Sequence, residues 1–509
     1  MTYQINVRQP VAQVSRIAIA IAIGVAFLSG CSLAPTEDRP SIDFPANFVE
    51  AEHPALAPLK PTENPGRWQP GEPADQQKPS PWWRVLGDPV LEQLEAQALE
   101  ANPDVDIAMA RLKQSRALTA RSESARSPDI NAGFGPTRQR TSGAADGRGD
   151  GDPGTTQTLW RAQVTFAYEV DLFGRVSSSI AAARADTDQQ LALTHQMLLV
   201  IQADVARTYF SLRQLEGEQR LLRETVKLRE DTAKLLERRL SGGDVANYVV
   251  DQATTELYSA RAEHLAVQRQ YALTAHALAI LLGKPPASFK LDAKPLENVT
   301  VQLPPGLPST LLERRPDIAA AERAMAAENA RIGVARAAFF PSLSLTGGLG
   351  YESEDLGNLS DWSQRTFLLG PLIGTALSLP IFDGGRRDAD IARVRAVYEE
   401  RVAEYRKTVL QAFREVEDSL VSIRTLDERI VFERGGEEAS LRVARSAQDR
   451  FDEGDVDYLE VVDAQRTLLR SQLSLIQSEG ERARVTVDLV RALGGGWEAS
   501  HQQKTEKNG

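Results

Sequence analysis

Four segments of the chain alternate apolar and polar residues with the two-residue period of a β-strand. The clearest is 159–171, where the even-numbered positions are apolar and nearly all odd-numbered ones are polar or charged. Residues 130–138 give a weaker, glycine-containing partner, and residues 342–352 repeat the alternation. Residues 366–380 are the fourth candidate, in which Pro371 is expected to bend the strand. The pattern predicts two pairs of strands, each strand with one apolar face.

Each strand pair is followed by a long segment without proline, residues 174–238 and 385–447. At 1.5 Å per residue, each predicts a continuous helix roughly 95 Å long. Gly243-Asp244 and Gly454-Asp455 mark a turn after each one, and a second helix then returns. We therefore expect two helical hairpins, at about 174–283 and 385–494. Apolar residues in steps of three and four predict a coiled-coil-like seam in the second: Val402, Tyr405, Val409, Phe413, Val416, Leu420 and Ile423.

Shorter helices are predicted before the first strand pair. Trp82-Trp83 opens the folded part, and Asp88 is placed to cap a helix that has Pro89 in its first turn. A second helix is expected from Pro103 to about Arg126.

The order of these elements occurs twice, which indicates an internal duplication. Arg239-Leu240-Ser241-Gly242-Gly243-Asp244 is echoed by Arg450-Phe451-Asp452-Glu453-Gly454-Asp455, and Asn102-Pro103-Asp104 by Arg315-Pro316-Asp317. The spacing is far longer than the roughly 20 to 50 residues of a solenoid repeat. The predicted repeats are residues 82–283 and 315–494, joined by a linker over 284–314 and followed by a tail over 495–509.

The N-terminus has the pattern of a secretory signal. An apolar run from Ile17 to Leu28 is too short to span a membrane as a helix. It ends at Leu28-Ser29-Gly30-Cys31, which resembles the bacterial lipobox, so residues 1–30 are expected to be removed and Cys31 to carry a covalent lipid. Residues 31–81 contain 11 of the 27 prolines. That density favours a lipid-anchored, extended arm along the body, with a disordered tether as the alternative.

Composition excludes several classes of function. The formal charge of −11 argues against nucleic-acid binding. The five histidines form no pair at metal-binding spacing, and no catalytic constellation has a recognisable context. We therefore expect no enzyme activity, no metal and no cofactor other than the lipid. The acidic loop between the first two strands lacks a calcium-loop pattern and is interpreted as solvated: Asp146, Arg148, Asp150 and Asp152.

Strands with one apolar face suit the wall of an outer-membrane barrel, in which lipid-facing and lumen-facing residues alternate. Four strands cannot close a barrel, and an open sheet edge in lipid leaves backbone groups unpaired. Two copies would give a narrow, filled barrel, whereas three would give 12 strands and room for a pore. The alternative is a small soluble sheet, because such a sheet could also present its charged face to water.

The whole mature chain resembles the outer-membrane efflux protein family, the TolC- and OprM-like outer-membrane factors, in the lipoprotein (NodT-type) branch. The resemblance rests on several short motifs in a fixed order: Cys31-Ser32-Leu33-Ala34-Pro35, Trp82-Trp83, Gly87-Asp88-Pro89, Asp171-Leu172-Phe173-Gly174-Arg175, Arg314-Arg315-Pro316-Asp317, Phe340-Pro341-Ser342-Leu343, Phe382-Asp383-Gly384-Gly385-Arg386 and Asp463-Ala464-Gln465-Arg466.

The resemblance implies a mixed α+β membrane protein. It would be a homotrimer with a shared 12-stranded outer-membrane β-barrel, four strands per chain, on a long periplasmic α-helical barrel. The implied function is the exit duct of a tripartite efflux system for small molecules such as drugs, with a periplasmic adaptor and an inner-membrane RND-type pump as partners. The exit duct of a type I protein secretion system and a structural periplasmic coiled-coil lipoprotein remain as alternatives.

Two candidate sites lie near the turns. Glu460 and Asp463 are three residues apart on one helical face, so their carboxylates can point the same way. The resemblance implies that both line a constricted periplasmic entrance, and we interpret them as an electronegative gate. The alternative is a solvated face in which Asp463 pairs with Arg466. Asp251 is the matching residue of the first repeat.

The turns themselves are the predicted contact points for the adaptor. The alternative is that their glycines only turn the chain. The residues concerned are Leu240, Ser241, Gly242 and Gly243 in the first turn and Phe451, Asp452, Glu453 and Gly454 in the second.

Overall fold

The structure is a computed structural model that describes residues 33–36, 48–50, 67–68, 81–142, 154–292, 294, 314–369, 377–495 and 497–498. The expected lipid site at Cys31, the acidic loop residues Asp146 to Asp152 and the bend at Pro371 lie outside these residues, as do most of the predicted arm, linker and tail.

The described residues form seven α-helices in chain order: α1 (Pro89–Ala101), α2 (Pro103–Ser124), α3 (Arg175–Gly242), α4 (Asn247–Leu281), α5 (Pro316–Ala337), α6 (Arg386–Glu453) and α7 (Tyr458–Ala492). Helices α3 and α6 are both 68 residues long, and α4 and α7 are both 35. The equal lengths fit two copies of one ancestral hairpin. The helix expected to end near Arg126 ends at Ser124.

The described strands are β1 (Arg67–Trp68), β2 (Asp129–Thr141), β3 (Thr155–Val170), β4 (Ser342–Ser353), β5 (Arg365–Leu369), β6 (Leu377–Ser378) and β7 (Trp497–Glu498). Strands β2, β3, β4 and β5 form an antiparallel sheet in that order, and β6 also pairs with β4. Strand β2 is longer than the predicted 130–138, because its pairing with β3 continues to Thr141 after its apolar residues end. The fourth candidate strand is described only as β5 and β6.

The chain divides into two units, which are described separately. The first comprises residues 1–40, 113–189 and 322–404 and holds the main sheet. The second comprises residues 41–112, 190–321 and 405–509, and it holds both hairpin turns and the two-stranded pair of β1 and β7.

A compact core in the second unit surrounds the start of α1. Trp82 is fully buried and donates its indole N–H to Gln202 at 3.0 Å. The Asp88 carboxylate accepts hydrogen bonds from the backbone N–H groups of Val90 at 2.8 Å and Leu91 at 3.3 Å, with Pro89 opening the helix. This is the cap that the sequence predicts, and it satisfies N–H groups that the first turn leaves unpaired.

The duplication is visible in one joint that occurs twice in the second unit. The Asn102 amide donates to the backbone carbonyl of Leu281 at the end of α4, at 2.8 Å. In the second repeat, Arg315 donates to the carbonyl of Ala492 at the end of α7, at 2.9 Å. Both residues precede a proline that starts a helix. The same joint is therefore made by a neutral side chain in one repeat and a charged one in the other.

Candidate functional site

The main sheet has one apolar face and one polar face. Residues directly opposite each other in paired strands point to the same side, so the strand register assigns every side chain to a face. Seven exposed large apolar residues fall on one side, called here the apolar face: Ile130, Phe134, Val164, Leu345, Leu349, Phe367 and Leu377. The opposite side, called here the polar face, includes Asn131, Gln163, Thr165, Glu169 and Ser344.

Charge on the polar face is paired. Arg161 donates to Glu352 on the next strand at 2.7 Å, and both side chains are partly exposed.

On the apolar face, the ring of Phe166 lies over Gly347, where an added Cβ would come within 2.3 Å of a ring carbon. Glycine is therefore needed at 347 so that the aromatic ring can cover the neighbouring strand.

The two hairpin turns in the second unit have the same geometry. Gly243 and Gly454 have φ of 83° and 84°. The N–H of Asp244 donates to the carbonyl of Arg239 at 2.9 Å, and Asp455 does the same to Arg450 at 2.9 Å. This pattern closes each long helix with a Schellman motif, which requires a left-handed residue that glycine adopts freely.

The predicted adaptor-contact residues occupy equivalent places in the two turns. Leu240 and Phe451 are half-buried, packed against an apolar cluster that includes Leu236, Val250, Tyr458 and Val461. The other six residues are exposed at the tips: Ser241, Gly242, Gly243, Asp452, Glu453 and Gly454. The turns also approach each other, since Arg239 lies 5.6 Å from the ring centroid of Phe451. Both exposed tips therefore lie at the same end of the second unit.

The predicted gate carboxylates are exposed, and two of the three lie near basic side chains. Glu460 forms an ion pair with Arg450 at 2.9 Å. Asp463 approaches Arg466 at 3.7 Å, and its side chain is 66% exposed. Asp251 accepts a hydrogen bond from the Asn247 amide at 3.1 Å.

Arg466 also makes a stronger contact that links the two repeats. It donates through Nε to the Glu256 carboxylate at 3.0 Å and through a second nitrogen to the same oxygen. Glu256 lies on α4, and its other oxygen accepts from Arg229 on α3. The Glu256 and Arg229 side chains are only 8% and 5% exposed. The bond to Glu256 is the main reason that the pKa of Arg466 is raised.

We name Arg229, Glu256 and Arg466 the inter-repeat lock. The sequence motifs point to Arg466 but not to Glu256 or Arg229. A signal was present, because Glu256 is a charged residue within the apolar seam of Ala253, Leu257 and Ala260. A charge in a buried seam needs a partner, and Glu256 has two.

The arm is described at residues 33–36 in the first unit and at residues 48–50, 67–68 and 81 in the second. In the first unit, the carbonyl of Pro35 accepts from Asn329 at 2.8 Å, and that of Leu33 accepts from Arg336 at 3.1 Å. Both donors lie on α5. In the second unit, Phe48 is fully buried and packs against Phe413 with ring centroids 5.7 Å apart. Where it is described, the arm therefore contacts the folded chain.

Within the residues that the structure describes, no helix is both long enough and apolar enough to cross a membrane. No group of three or more histidine, cysteine, aspartate or glutamate residues among them is placed to hold a metal ion.

The two-faced sheet is typical of the wall of an outer-membrane channel, and each repeat also contains a long helical hairpin. The outer membrane efflux protein family matches residues 94–284 and 307–495. The toluene efflux pump outer membrane protein TtgF of Pseudomonas putida is 35% identical over 492 residues, covering 96% of this chain and 99% of its own. The cation efflux system protein CusC of Escherichia coli is 31% identical over 480 residues, covering 92% and 97%.

Among solved structures, the outer-membrane channel OprN has a TM-score of 0.80 at 28% identity, covering 91% of this chain and 99% of its own. The chain belongs to the outer membrane efflux protein family. It is an outer-membrane exit duct of a tripartite efflux system, with a periplasmic part.

Proposed function

We propose that three copies of the chain close their sheets into one 12-stranded barrel. The two-faced sheet is the observation that carries this proposal. Among the described strands, β2 pairs only with β3, and β5 only with β4, so each copy has two free edges. Unpaired edges are costly in lipid. Joining the β5 edge of one copy to the β2 edge of the next removes them, and the polar faces then line a water-filled pore.

The helical hairpins of the three copies would form a second, periplasmic barrel. Support comes from α4, which carries exposed apolar residues at intervals of seven or eight: Tyr258, Leu265, Leu273 and Ile280. That spacing places them on one side of the helix. A stripe of this kind is typical of a surface that a further helix covers, and a second copy of the chain is the occupant that we propose.

We place the gate at the turn end of this helical barrel. Asp463 is exposed and only weakly paired at 3.7 Å, so three copies would place a ring of carboxylates around the entrance. Crowded carboxylates favour cations and repel anions. The inter-repeat lock then holds α7 against the first hairpin, because Arg466 on α7 bonds Glu256 on α4.

The exposed tips of the two turns are the proposed docking points for a periplasmic adaptor, which would join the duct to an inner-membrane pump. The two tips match in backbone geometry but differ in side chains, Ser-Gly-Gly against Asp-Glu-Gly. One adaptor fold could therefore engage both, with different polar contacts at each.

The covalent lipid on Cys31 remains a proposal for which the arm provides support. The backbone carbonyls of Leu33 and Pro35 accept hydrogen bonds from Arg336 and Asn329, respectively. Arg336 is next to the last residue of α5, which precedes β4. A lipid two residues before Leu33 would therefore lie near the start of the sheet, at the end opposite to its loops.

We propose small molecules, such as drugs, as the exported substrates. We do not expect the chain itself to define them, because two relatives are named for different cargoes. TtgF is named for toluene and CusC for cations, at similar identities to this chain. The pump is the component expected to select the substrate.

Conductance of the purified chain in planar lipid bilayers tests the channel and the gate together. Wild-type protein should form a cation-preferring channel that multivalent cations block. Asp463→Ala should weaken the block, and Glu399→Ala, which removes an exposed carboxylate elsewhere on α6, should not. An unchanged block in Asp463→Ala would show that the gate assignment is wrong. Protein that never conducts would contradict the pore.

A further inference from the structure

The apolar face of the main sheet changes character at its loop end. Beyond Trp160 on β3, the next residues on that face are Thr158 and Thr156, and they lie opposite Arg138 and Arg140 on β2. Both arginines are exposed. Within the part of the chain that the structure describes, neither guanidinium group has a hydrogen bond or an ion pair.

The arginine on the polar face, in contrast, forms an ion pair. Arg161 lies on that face and is neutralised by Glu352 at 2.7 Å. Two arginines without a carboxylate therefore point outward from the barrel that we propose, whereas the inward-pointing arginine of the same hairpin is paired. Arg138 and Arg140 are therefore free to bind an anion outside the protein.

The depth of the two arginines identifies where that anion lies. At about 3.4 Å per residue and a strand tilt of about 40°, the stretch from Val170 to Trp160 rises about 26 Å, close to the apolar band of about 25 Å in outer-membrane barrels. Trp160 stacks on Phe134 with ring centroids 5.9 Å apart. Such an aromatic pair is typical of the membrane interface. Arg138 and Arg140 follow directly beyond it, at the level of lipid headgroups.

This end of the sheet faces the cell exterior. The other ends of β3 and β4 connect directly to α3 and α5, which begin the periplasmic part. The headgroups at the loop end are therefore those of the outer leaflet, where the phosphorylated glycolipid of the outer membrane is found.

We propose that Arg138 and Arg140 bind the phosphate groups of this outer-leaflet glycolipid. The proposal rests on the barrel proposed above. Guanidinium groups bind phosphate with two parallel hydrogen bonds. Two residues apart on one strand face, the arginines can reach neighbouring phosphates, with Thr156 and Thr158 beside them as further donors.

A third arginine lies on the same face, in register with Ala162 and therefore one face position closer to the middle of the membrane than Trp160. Arg365 on β5 lies opposite Tyr351 and so on the apolar face. Its guanidinium is 3.3 Å from the ring centroid of Trp362, and the residue is exposed. Because β2 and β5 are the two edges of the sheet, closing the barrel brings the β5 arginine of one copy to the junction with the β2 arginines of the next. The glycolipid would then span the junction between copies.

Retention of a defined lipid tests the proposal. Purified full-length protein is placed in phosphatidylcholine nanodiscs containing a small fraction of bisphosphorylated lipid A, and bound lipid A is counted by native mass spectrometry after release. We expect Arg138→Gln with Arg140→Gln to weaken retention about 25-fold, from about fivefold for each arginine near an anionic membrane surface. Arg111→Gln with Arg116→Gln is the matched control, because it removes two exposed arginines from α2. The control should retain lipid A as the wild type does.

Inorganic phosphate alone serves as the second probe. Equal retention by the wild type and the double variant would overturn the proposal, and so would displacement of lipid A by inorganic phosphate, which would indicate a site for the free ion. If the double variant fails to fold, the single variants should each show about a fivefold loss, and the absence of that loss is equally contradictory. The oligomeric mass is measured on the same samples. A mass below three chains contradicts the barrel, whereas loss of the lipid effect at full mass contradicts only the lipid site.

Discussion

The inter-repeat lock predicts how single substitutions change channel opening. The bond between Arg466 and Glu256 joins the second hairpin to the first, whereas the bond between Arg229 and Glu256 lies within the first hairpin. Arg466→Gln removes the bond between the hairpins and, within α7, the weaker contact with Asp463 at 3.7 Å. Glu256→Gln weakens both and leaves the buried guanidinium of Arg229, 5% exposed, without a full counter-charge.

The exposure of each ion pair determines how much free energy is lost when the pair is removed. Arg466 is 51% exposed, so its ion pair contributes about 1 kcal/mol, the upper end for exposed pairs. If three copies open together, the loss of their three ion pairs amounts to about 3 kcal/mol, which shifts the opening equilibrium about 150-fold. Removing one partner of a buried pair costs about 3 to 5 kcal/mol per chain. Because glutamine keeps one acceptor oxygen, we expect the lower end of that range for Glu256→Gln.

Two assays separate opening from stability. Single-channel recordings give the open probability, and circular dichroism gives the thermal midpoint. Arg466→Gln should raise the open probability with little change in the thermal midpoint. Glu256→Gln should raise the open probability and also lower the thermal midpoint. The matched control is Arg434→Gln, because Arg434 is 52% exposed and pairs with Glu479 at 3.0 Å within the second hairpin. If Arg466→Gln opens no more often than Arg434→Gln, the lock reasoning is refuted.

Three further predictions concern stability and docking. Burial raises the pKa of Glu95 to about 9, and neither of its carboxylate oxygens has a hydrogen-bond partner in the described structure. The folded state therefore holds a proton that the unfolded state releases above about pH 4.5, so the free energy of unfolding of the wild type should fall by about 3 kcal/mol between about pH 5 and pH 7. Glu95→Leu should abolish this pH dependence in thermal melts. Arg315→Ala should lower the free energy of unfolding by about 3 kcal/mol, which is more than Asn102→Ala should. The reason is that Arg315 is a buried charge that binds Asp317 and Glu415 as well as the end of α7. Denaturant titrations that give the two variants equal losses of unfolding free energy would contradict this. Glu453→Lys, at an exposed tip, should weaken binding of a purified partner adaptor in a pull-down without changing the thermal midpoint, and unchanged binding would argue against the turns as docking points.

Much of the helical architecture follows from local sequence signals. The absence of proline from 174–238 and 385–447 and the seam through Val409, Val416 and Leu420 predict the long helices, and those three residues are buried. The turns are equally predictable, because a Gly-Asp pair after a long helix favours a left-handed C-terminus. Asp88 and Pro89 predict the start of α1 for the same local reason.

What the sequence did not reveal depends on contacts between distant residues. Glu256 meets Arg466 only after both hairpins have packed, so neither local pattern shows the lock. The extension of β2 to Thr141 is set by pairing with β3, since its own apolar alternation stops at Arg138. The ion pair of Glu460 with Arg450 also forms across the turn and is not visible in the local spacing of Glu460 and Asp463. In each case a tertiary neighbour determines the outcome.

The central claim is that copies of the chain complete one another's barrel. The most direct measurement is the oligomeric mass of the detergent-extracted protein by light scattering, with the contribution of the detergent subtracted. The account predicts a mass of three chains. A single chain that leaves the membrane without detergent would contradict the shared barrel and, with it, the pore formed by the polar faces of the sheets.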